Sequence, residues 1–271
     1  MGRVTHTDFH GIKPVSASAI AAEGNAWLYN KEKKPYEVPR PLETDEIPRL
    51  VADIAHAAAC AKEAGFDGIE LHGANGYLID QFLQSSSNQR TDAYGGSIEN
   101  RFRLLREVLE ACGKVWGGYS RIGVRVSPNG AFNSMGSSDN IAQFSYVLSE
   151  LDKFGLMYIH LMDGLAFGFH AKDEVFRLAR ARALFKGVIV GNCGYTKDGA
   201  EAVINAGVAD AIAFGRPFIS NPDLVERFRK GYELAPPAPF PLWYEAPGDD
   251  PEDPTQQAVG YSDWATYVPK A

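Results

Sequence analysis

Gly68-Ile69-Glu70-Leu71 runs straight into His72-Gly73-Ala74-Asn75-Gly76-Tyr77, and the reading of that junction decides the fold. A short apolar run ends at an imidazole, a carboxamide and a phenol, ahead of a polar segment at residues 85–100. This is the pattern of a buried strand leaving a parallel α/β sheet at the rim where such folds carry their chemistry. Those three groups together can grip an electron-rich oxygen and deliver a proton.

Outward from the junction, residues 44–231 repeat one unit: short apolar strand, polar loop, amphipathic helix, glycine, next strand. Upstream, Thr44 is placed to cap a helix in which Ile47, Val51, Ile54, Ala58 and Ala59 recur at helical spacing, ended by Gly65. Downstream, Phe102, Leu105, Leu109 and Cys112 mark a helix over 98–114, followed by a strand at 122–126. A third helix uses Ile141, Phe144, Leu148 and Leu151 before Gly155, and residues 157–161 form the next strand. A helix over 174–184 leads to a strand at 188–190. Thr196 caps a helix stopped by Gly207, residues 211–214 form the last strand, and Asn221-Pro222-Asp223 opens a final helix.

The five strands read as buried and parallel, because no polar face alternates through them. Helical crossovers then imply a doubly wound sheet or a (β/α)8 barrel. No strand is followed by the glycine-rich turn of a dinucleotide fold, so the barrel reading leads. Five strands are three short of a closed barrel. Residues 1–43, rich in Pro, Lys, His and Ser, read as a long loop with a short hairpin around residues 16–29. Residues 44–232 form the partial barrel. Residues 233–271 read as an irregular arm anchored by Trp243, Tyr244, Tyr261 and Trp264, all within one domain.

Composition narrows the classes of function. The 271 residues carry a net charge of −7, which argues against a nucleic-acid or anionic-membrane partner. Three cysteines, Cys60, Cys112 and Cys193, show no metal-ligand spacing and fit free thiols in a reducing compartment. No apolar run approaches the length of a membrane helix, so the default location is the cytoplasm.

At these motifs the chain resembles the Old Yellow Enzyme family of FMN-dependent ene-reductases. The matching stretches are His72 to Leu83, Asn88-Gln-Arg-Thr-Asp-Ala-Tyr-Gly-Gly-Ser-Ile-Glu-Asn-Arg101, Gly123-Val-Arg-Val-Ser-Pro128, Gly191-Asn-Cys-Gly-Tyr-Thr196 and residues 214–223. The resemblance implies an α/β fold of the TIM-barrel, flavin-oxidoreductase type, with strands four to eight present and strands one to three missing. It implies that His72 and Asn75 hydrogen-bond the carbonyl or nitro oxygen of an activated alkene, and that Tyr77 protonates it. It implies FMN held by Arg125 at the ring and by Cys193, Gly194, Gly215 and Arg216 at the phosphate, with NAD(P)H as reductant. Met1-Gly-Arg3 matches the end of a family phrase that closes the third strand, so part of the flavin cradle is expected to lie outside this chain. The open edges imply a companion chain or self-association.

Plainer readings stand beside these. A lone histidine at a strand end is more often structural than catalytic. Arg125, a charge inside an apolar strand, is expected to have an anionic or polar partner, the plainer version being a salt bridge to Glu70 or Asp163, and Cys193 would lend only its backbone. His160 and Asp163 are expected on the same rim. Three functions are carried forward. One is an NAD(P)H-dependent ene-reductase acting on enones or nitroalkenes. The second is a flavin-free isomerase or cyclase on an enone-like substrate. The third is a non-enzyme, either a remnant or a partner-completed barrel.

Overall fold

Residues 1–46 lack periodic apolar positions, and they fold into small pieces: α1 (Thr7–His10), β1 (Val15–Ser16), β2 (Asn25–Trp27), β3 (Lys33–Pro35) and β4 (Arg40–Pro41). These coordinates are a computed structural model describing residues 1–28, 32–166, 168–243 and 259–268. The expected hairpin lies about ten residues later than residues 16–29: β2 pairs antiparallel with β3, and β1 pairs parallel with β4. Tyr29, at the edge of that expectation, lies outside the described residues. The segment is also less of an excursion than its composition suggests. Arg3 is buried, donating to the carbonyls of Ile20 and Asn133 at 3.1 Å each.

From residue 47 the repeated unit takes over. In chain order it comprises α2 (Ile47–Glu63), β5 (Ile69–Gly73), α3 (Leu78–Leu83), α4 (Ile98–Trp116), β6 (Ile122–Val126), α5 (Asn140–Leu151), β7 (Tyr158–Met162), α6 (Leu178–Leu184), β8 (Ile189–Asn192), α7 (Lys197–Asn205), β9 (Ala211–Ala213), α8 (Arg216–Ser220) and α9 (Leu224–Lys230). β5 to β9 form one five-stranded sheet in sequential order, and β5–β6, β6–β7 and β7–β8 pair parallel. This is the partial (β/α) barrel arrangement that the strand–helix repeat predicts.

Several boundaries have local causes. Thr44 does not cap α2; its hydroxyl hydrogen-bonds Asp92, and the helix begins at Ile47-Pro48. The Ser97 side chain accepts from the Asn100 amide at 3.3 Å to start α4, and Gly117 in the left-handed conformation stops it. The helix expected over 174–184 begins only at Leu178, because Asn129 Oδ1 accepts the Phe176 amide at 2.7 Å and holds that stretch extended. α3 is a helix that periodicity does not announce, and so is α8.

The expectation that no polar face alternates through the strands is wrong. Leu71, Ile122, Val124, Val126, Ile159, Leu161 and Ile189 point to one face and are buried. With Phe102, Leu105, Leu109, Phe144, Leu148 and Leu151 of α4 and α5 they make the core. Residues between them in sequence point the other way: Glu70 and His72, Gly123 and Arg125, Tyr158 and His160, then Asn192. Apart from the buried Gly123, that face is exposed to half-buried.

Two compact units divide the chain: residues 1–194 with 200–212, and residues 195–199 with 213–271. In the second, Asp223 accepts from Arg227 Nε and from the Tyr267 amide at 2.7 Å each, and Tyr267 stacks on Tyr232 with centroids 4.2 Å apart. Trp243 and Trp264 donate to the carbonyls of Ala238 and Gly260 at 2.8 Å. Tyr261, an expected anchor, is 87% exposed and anchors nothing; Tyr267 takes that part. Tyr244 lies outside the described residues.

Candidate active site

Strand register assembles the site. His72, Arg125 and His160 are direct neighbours across β5, β6 and β7, and one row below them lie Glu70, Gly123 and Tyr158. Side chains of one row on one face of a sheet are near neighbours. The sequence therefore places two imidazoles and a guanidinium side by side.

Gly123 makes the lower row possible. A Cβ there would come 2.4 Å from the Tyr158 ring. Without one, the ring lies across β6 and its phenol reaches the Glu70 carboxylate. Glu70 also receives His160 Nδ1 at 3.0 Å. Burial opposes ionisation of Glu70, but the hydrogen bonds from His160 and Tyr158 and the nearby Arg125 charge hold its carboxyl below the ordinary range. Burial and the same carboxylate push the Tyr158 phenol up to about 12.

Arg125 donates to Asn192 Oδ1 at 3.0 Å, a polar partner, rather than forming the salt bridge to Glu70 or Asp163 of the plainer reading. Asp163 instead accepts the Asn192 amide at 3.1 Å, so it holds Arg125's partner and not Arg125 itself. Arg125 and its own burial shape the neighbouring imidazole. Burial first, then the Arg125 charge, lower the pKa of His72, which favours a neutral ring with one N–H to donate.

Two buried nitrogens on this face, Arg125 Nε and His160 Nε2, have no hydrogen-bond partner among the described residues. Each such group costs roughly 1–3 kcal/mol, which a polar ring laid on the face would recover. Arg125 Nε is a donor, and Nε2 of a neutral His160 whose Nδ1–H donates to Glu70 is an acceptor, a pair that fits the polar edge of a flavin ring.

Above β5 the chain turns sharply. Asn75 and Gly76 are both left-handed, with φ of 58° and 73°. The turn brings Tyr77 back so that its ring centroid lies 5.3 Å from that of His72. The Asn75 backbone is gripped on both sides: its N–H donates to Ser127 Oγ at 2.8 Å and its carbonyl accepts Asn133 Nδ2 at 2.7 Å. Tyr77 lines a cleft of about 360 Å³ together with Thr5, Trp27, Tyr36, Phe132 and Asn133. His72 and Asn75 are not in its lining. His72 and Tyr77 thus meet through their rings, not through that cleft.

After β8, Cys193 and Gly194 are consecutive left-handed residues with φ of 90° and 86°. Cys193 is a buried free thiol. Gly215 and Arg216 belong to the second unit. They open α8 rather than merely ending β9, and the Arg216 guanidinium lies 4.8 Å from the centre of the Trp243 ring. Sequence reasoning missed the polar helix residues Asp80, Gln81 and Gln84, all fully buried beneath the turn. Three polar side chains in the seven residues after Tyr77 were the available signal.

Comparison with known proteins follows the same lines. The model of the NADH:flavin oxidoreductase / NADH oxidase family matches residues 5–235. Among curated proteins, 12-oxophytodienoate reductase 1 of Oryza sativa subsp. japonica is 39% identical over 234 residues, covering 84% of this chain and 60% of that protein. A probable flavin mononucleotide-dependent alkene reductase of Leishmania infantum is 40% identical, covering 94% of this chain and 66% of that protein. The chain therefore spans less than two thirds of the length of these relatives. Among solved structures, the old yellow enzyme homologue from Zymomonas mobilis matches with a TM-score of 0.88 and 39% identity, over 98% of this chain and 72% of that one. Morphinone reductase matches at 0.83 and 38%, over 98% and 70%.

Proposed function

Since the chain belongs to the NADH:flavin oxidoreductase / NADH oxidase family, we propose that it reduces activated carbon–carbon double bonds, as in enones and nitroalkenes, with FMN and NAD(P)H. The observation that carries this reading is the row of His72, Arg125 and His160 on one sheet face, with the Tyr77 ring against His72. The Leishmania relative's name, a probable flavin mononucleotide-dependent alkene reductase, supports the same class.

In this reading Arg125, with its buried Nε unpartnered, would hold the flavin's polar edge and Cys193 and Gly194 its phosphate; Gly215 and Arg216, in the second unit, keep the phosphate role that the family resemblance implies. When bound, reduced FMN supplies a hydride to the alkene. His72, kept neutral by burial and Arg125, donates its N–H to the substrate oxygen, and the Asn75 carboxamide donates beside it. Two donors aimed where negative charge develops lower the barrier because they need no reorganisation as it forms. Tyr77 passes its phenolic proton to the carbon next to the activating group. Of these three residues, Tyr77 alone lines the apolar cleft walled by Trp27, Tyr36 and Phe132, so that cleft would take the part of the substrate beyond the oxygen held by His72 and Asn75.

The test uses the whole chain. Purified protein supplied with FMN should show the yellow absorbance of bound flavin, and NADH or NADPH should be consumed when 2-cyclohexenone is added. His72→Ala and Asn75→Ala should each lower turnover by roughly 100-fold or more while flavin stays bound. Protein that remains colourless with excess FMN and consumes no reductant overturns the proposal.

A further inference from the structure

Asp80 lies on α3, three residues past Tyr77, and is completely buried with no salt bridge among the described residues. A carboxylate in such a place must be held by donors. Its Oδ2 accepts the Gly76 amide at 2.8 Å and faces Ser127 Oγ at 3.4 Å, while its Oδ1 accepts Gln84 Nε2 at 2.8 Å. Ser127 Oγ in turn accepts the Asn75 amide at 2.8 Å. One carboxylate thus reaches both residues of the left-handed pair, Gly76 directly and Asn75 through one hydroxyl.

The pair needs holding. Asn75 is a non-glycine residue at φ 58°, and a Cβ on Gly76 would come 2.7 Å from both Asn133 and Met135. Gln81 Nε2 grips the Gly76 carbonyl at 2.6 Å, so the peptide unit is clamped from both ends by α3. Gln84 has no freedom to turn over, because its Oε1 already accepts from the Gly136 amide and from Asn140 Nδ2. Its amide hydrogens must therefore face Asp80, which asks for an acceptor on that side.

We propose that Asp80 is a positioning residue: as a carboxylate it locks the Asn75–Gly76 turn and thereby aims the Asn75 carboxamide and the Tyr77 phenol at one substrate. This rests on the reading of Asn75 and Tyr77 given above. A neutral Asp80 would present a hydroxyl where acceptors are required, so one of the Gly76, Ser127 and Gln84 contacts would be lost. Burial raises this carboxyl to about 6, against which Gln84, Gly76, Ser127 and the charge of Arg3 work. Arg3 is the charged group that acts on it among the described residues, from the segment before α1; Gln81 on α3, Gln84 at its C-terminal cap, Ser127 after β6 and the Gly76 amide are neutral. The turn is therefore locked at neutral pH and released under mildly acidic conditions.

Amide hydrogen exchange of residues 74–77 in the whole chain, followed by mass spectrometry from about pH 5 to pH 8, reads the lock without any turnover. Corrected for intrinsic exchange, wild-type protection should rise about tenfold as pH increases through 6, as loss of a hydrogen bond to a charged group predicts. Asp80→Asn should stay at the low-pH level throughout, and its kcat should lose the acidic limb of the wild-type profile with KM little changed. Should Asp80→Asn fail to fold, Ser127→Ala keeps the carboxylate and should lose protection at Asn75 while Gly76 keeps its own. Equal protection in wild type and variants, or wild-type protection flat across pH 6, overturns the lock. A pH-dependent turn in a protein that reduces no enone would overturn the functional reading and leave the lock standing. Turnover with no acidic limb near 6 would do the reverse.

Discussion

The two faces of the five-stranded sheet use the same backbone for opposite ends. On the helix-covered face Val124, Ile159 and Leu161 are wholly excluded from solvent. On the other, one residue along each strand, Arg125, Tyr158 and His160 pair with Asn192 and Glu70, while Arg125 Nε and His160 Nε2 stay buried without a hydrogen-bond partner among the described residues. Stability is concentrated on the first face and chemistry on the second, so substitutions on the two faces should separate cleanly in what they damage. The covered face should show the largest loss of stability. Leu161→Ala, which leaves a cavity in a fully buried position, should cost roughly 2–5 kcal/mol in urea unfolding. A cost below about 1 kcal/mol would mean that the covered face is not the core.

Gly123→Ala tests the junction between the faces. Its Cβ would fall where the Tyr158 ring now lies, and the ring must give way. Overpacking of this kind costs roughly 1–3 kcal/mol. The variant should also lose the phenol contact to Glu70, visible as a fall of the Tyr158 titration from about 12 toward the ordinary tyrosine value of 10.0. An unchanged tyrosine titration would show that the ring does not need the glycine.

Arg125→Met should barely move stability, by about 1 kcal/mol or less in either direction, because removing a buried charge with an orphaned Nε offsets the lost contact to Asn192. Its effect belongs in flavin retention: absorbance of the FMN-loaded protein should fall while the unfolding midpoint holds. Loss of several kcal/mol with flavin retained would make Arg125 a structural residue, the plainer reading of a charge inside Val124-Arg125-Val126.

How far the sequence alone carries can be read from the same contrast. α4 was legible from the Phe102, Leu105, Leu109 and Cys112 stripe, and the structure adds Ser97 and Gly117 as its caps. α3 was not. It is six residues long, and the polar side chains Asp80 and Gln81 sit inside it, so no apolar stripe marks it. The polar sheet face was hidden for a related reason. Only one or two residues per strand carry it, and Gly123 and Val190 interrupt the alternation that would have announced it. His72, Asn75, Tyr77 and Arg125 were found through their motifs. That His160 joins Glu70, while Asn192 and not an acid receives Arg125, depends on register between strands distant in sequence.

The Glu70–His160 contact gives the smallest effect and the sharpest sign. Glu70 titrates below its ordinary value of 4.5 in the folded chain, so it binds fewer protons folded than unfolded near that pH. Stability rises with pH wherever the unfolded state binds more protons. The contribution of Glu70 is therefore fully present above 4.5 and fades as pH falls through the folded value. The side chain is 30% exposed, and solvent screening limits the contribution to about 1 kcal/mol. Glu70→Gln should accordingly be less stable than wild type by about that amount near neutrality, with the gap closing as pH falls below the ordinary value of 4.5 and through the lower folded value. A gap that stays constant with pH would mean that the variant had lost packing and not charge. That outcome would assign Glu70 to the covered face's kind of work, and the division between the two faces would have to be redrawn one row lower.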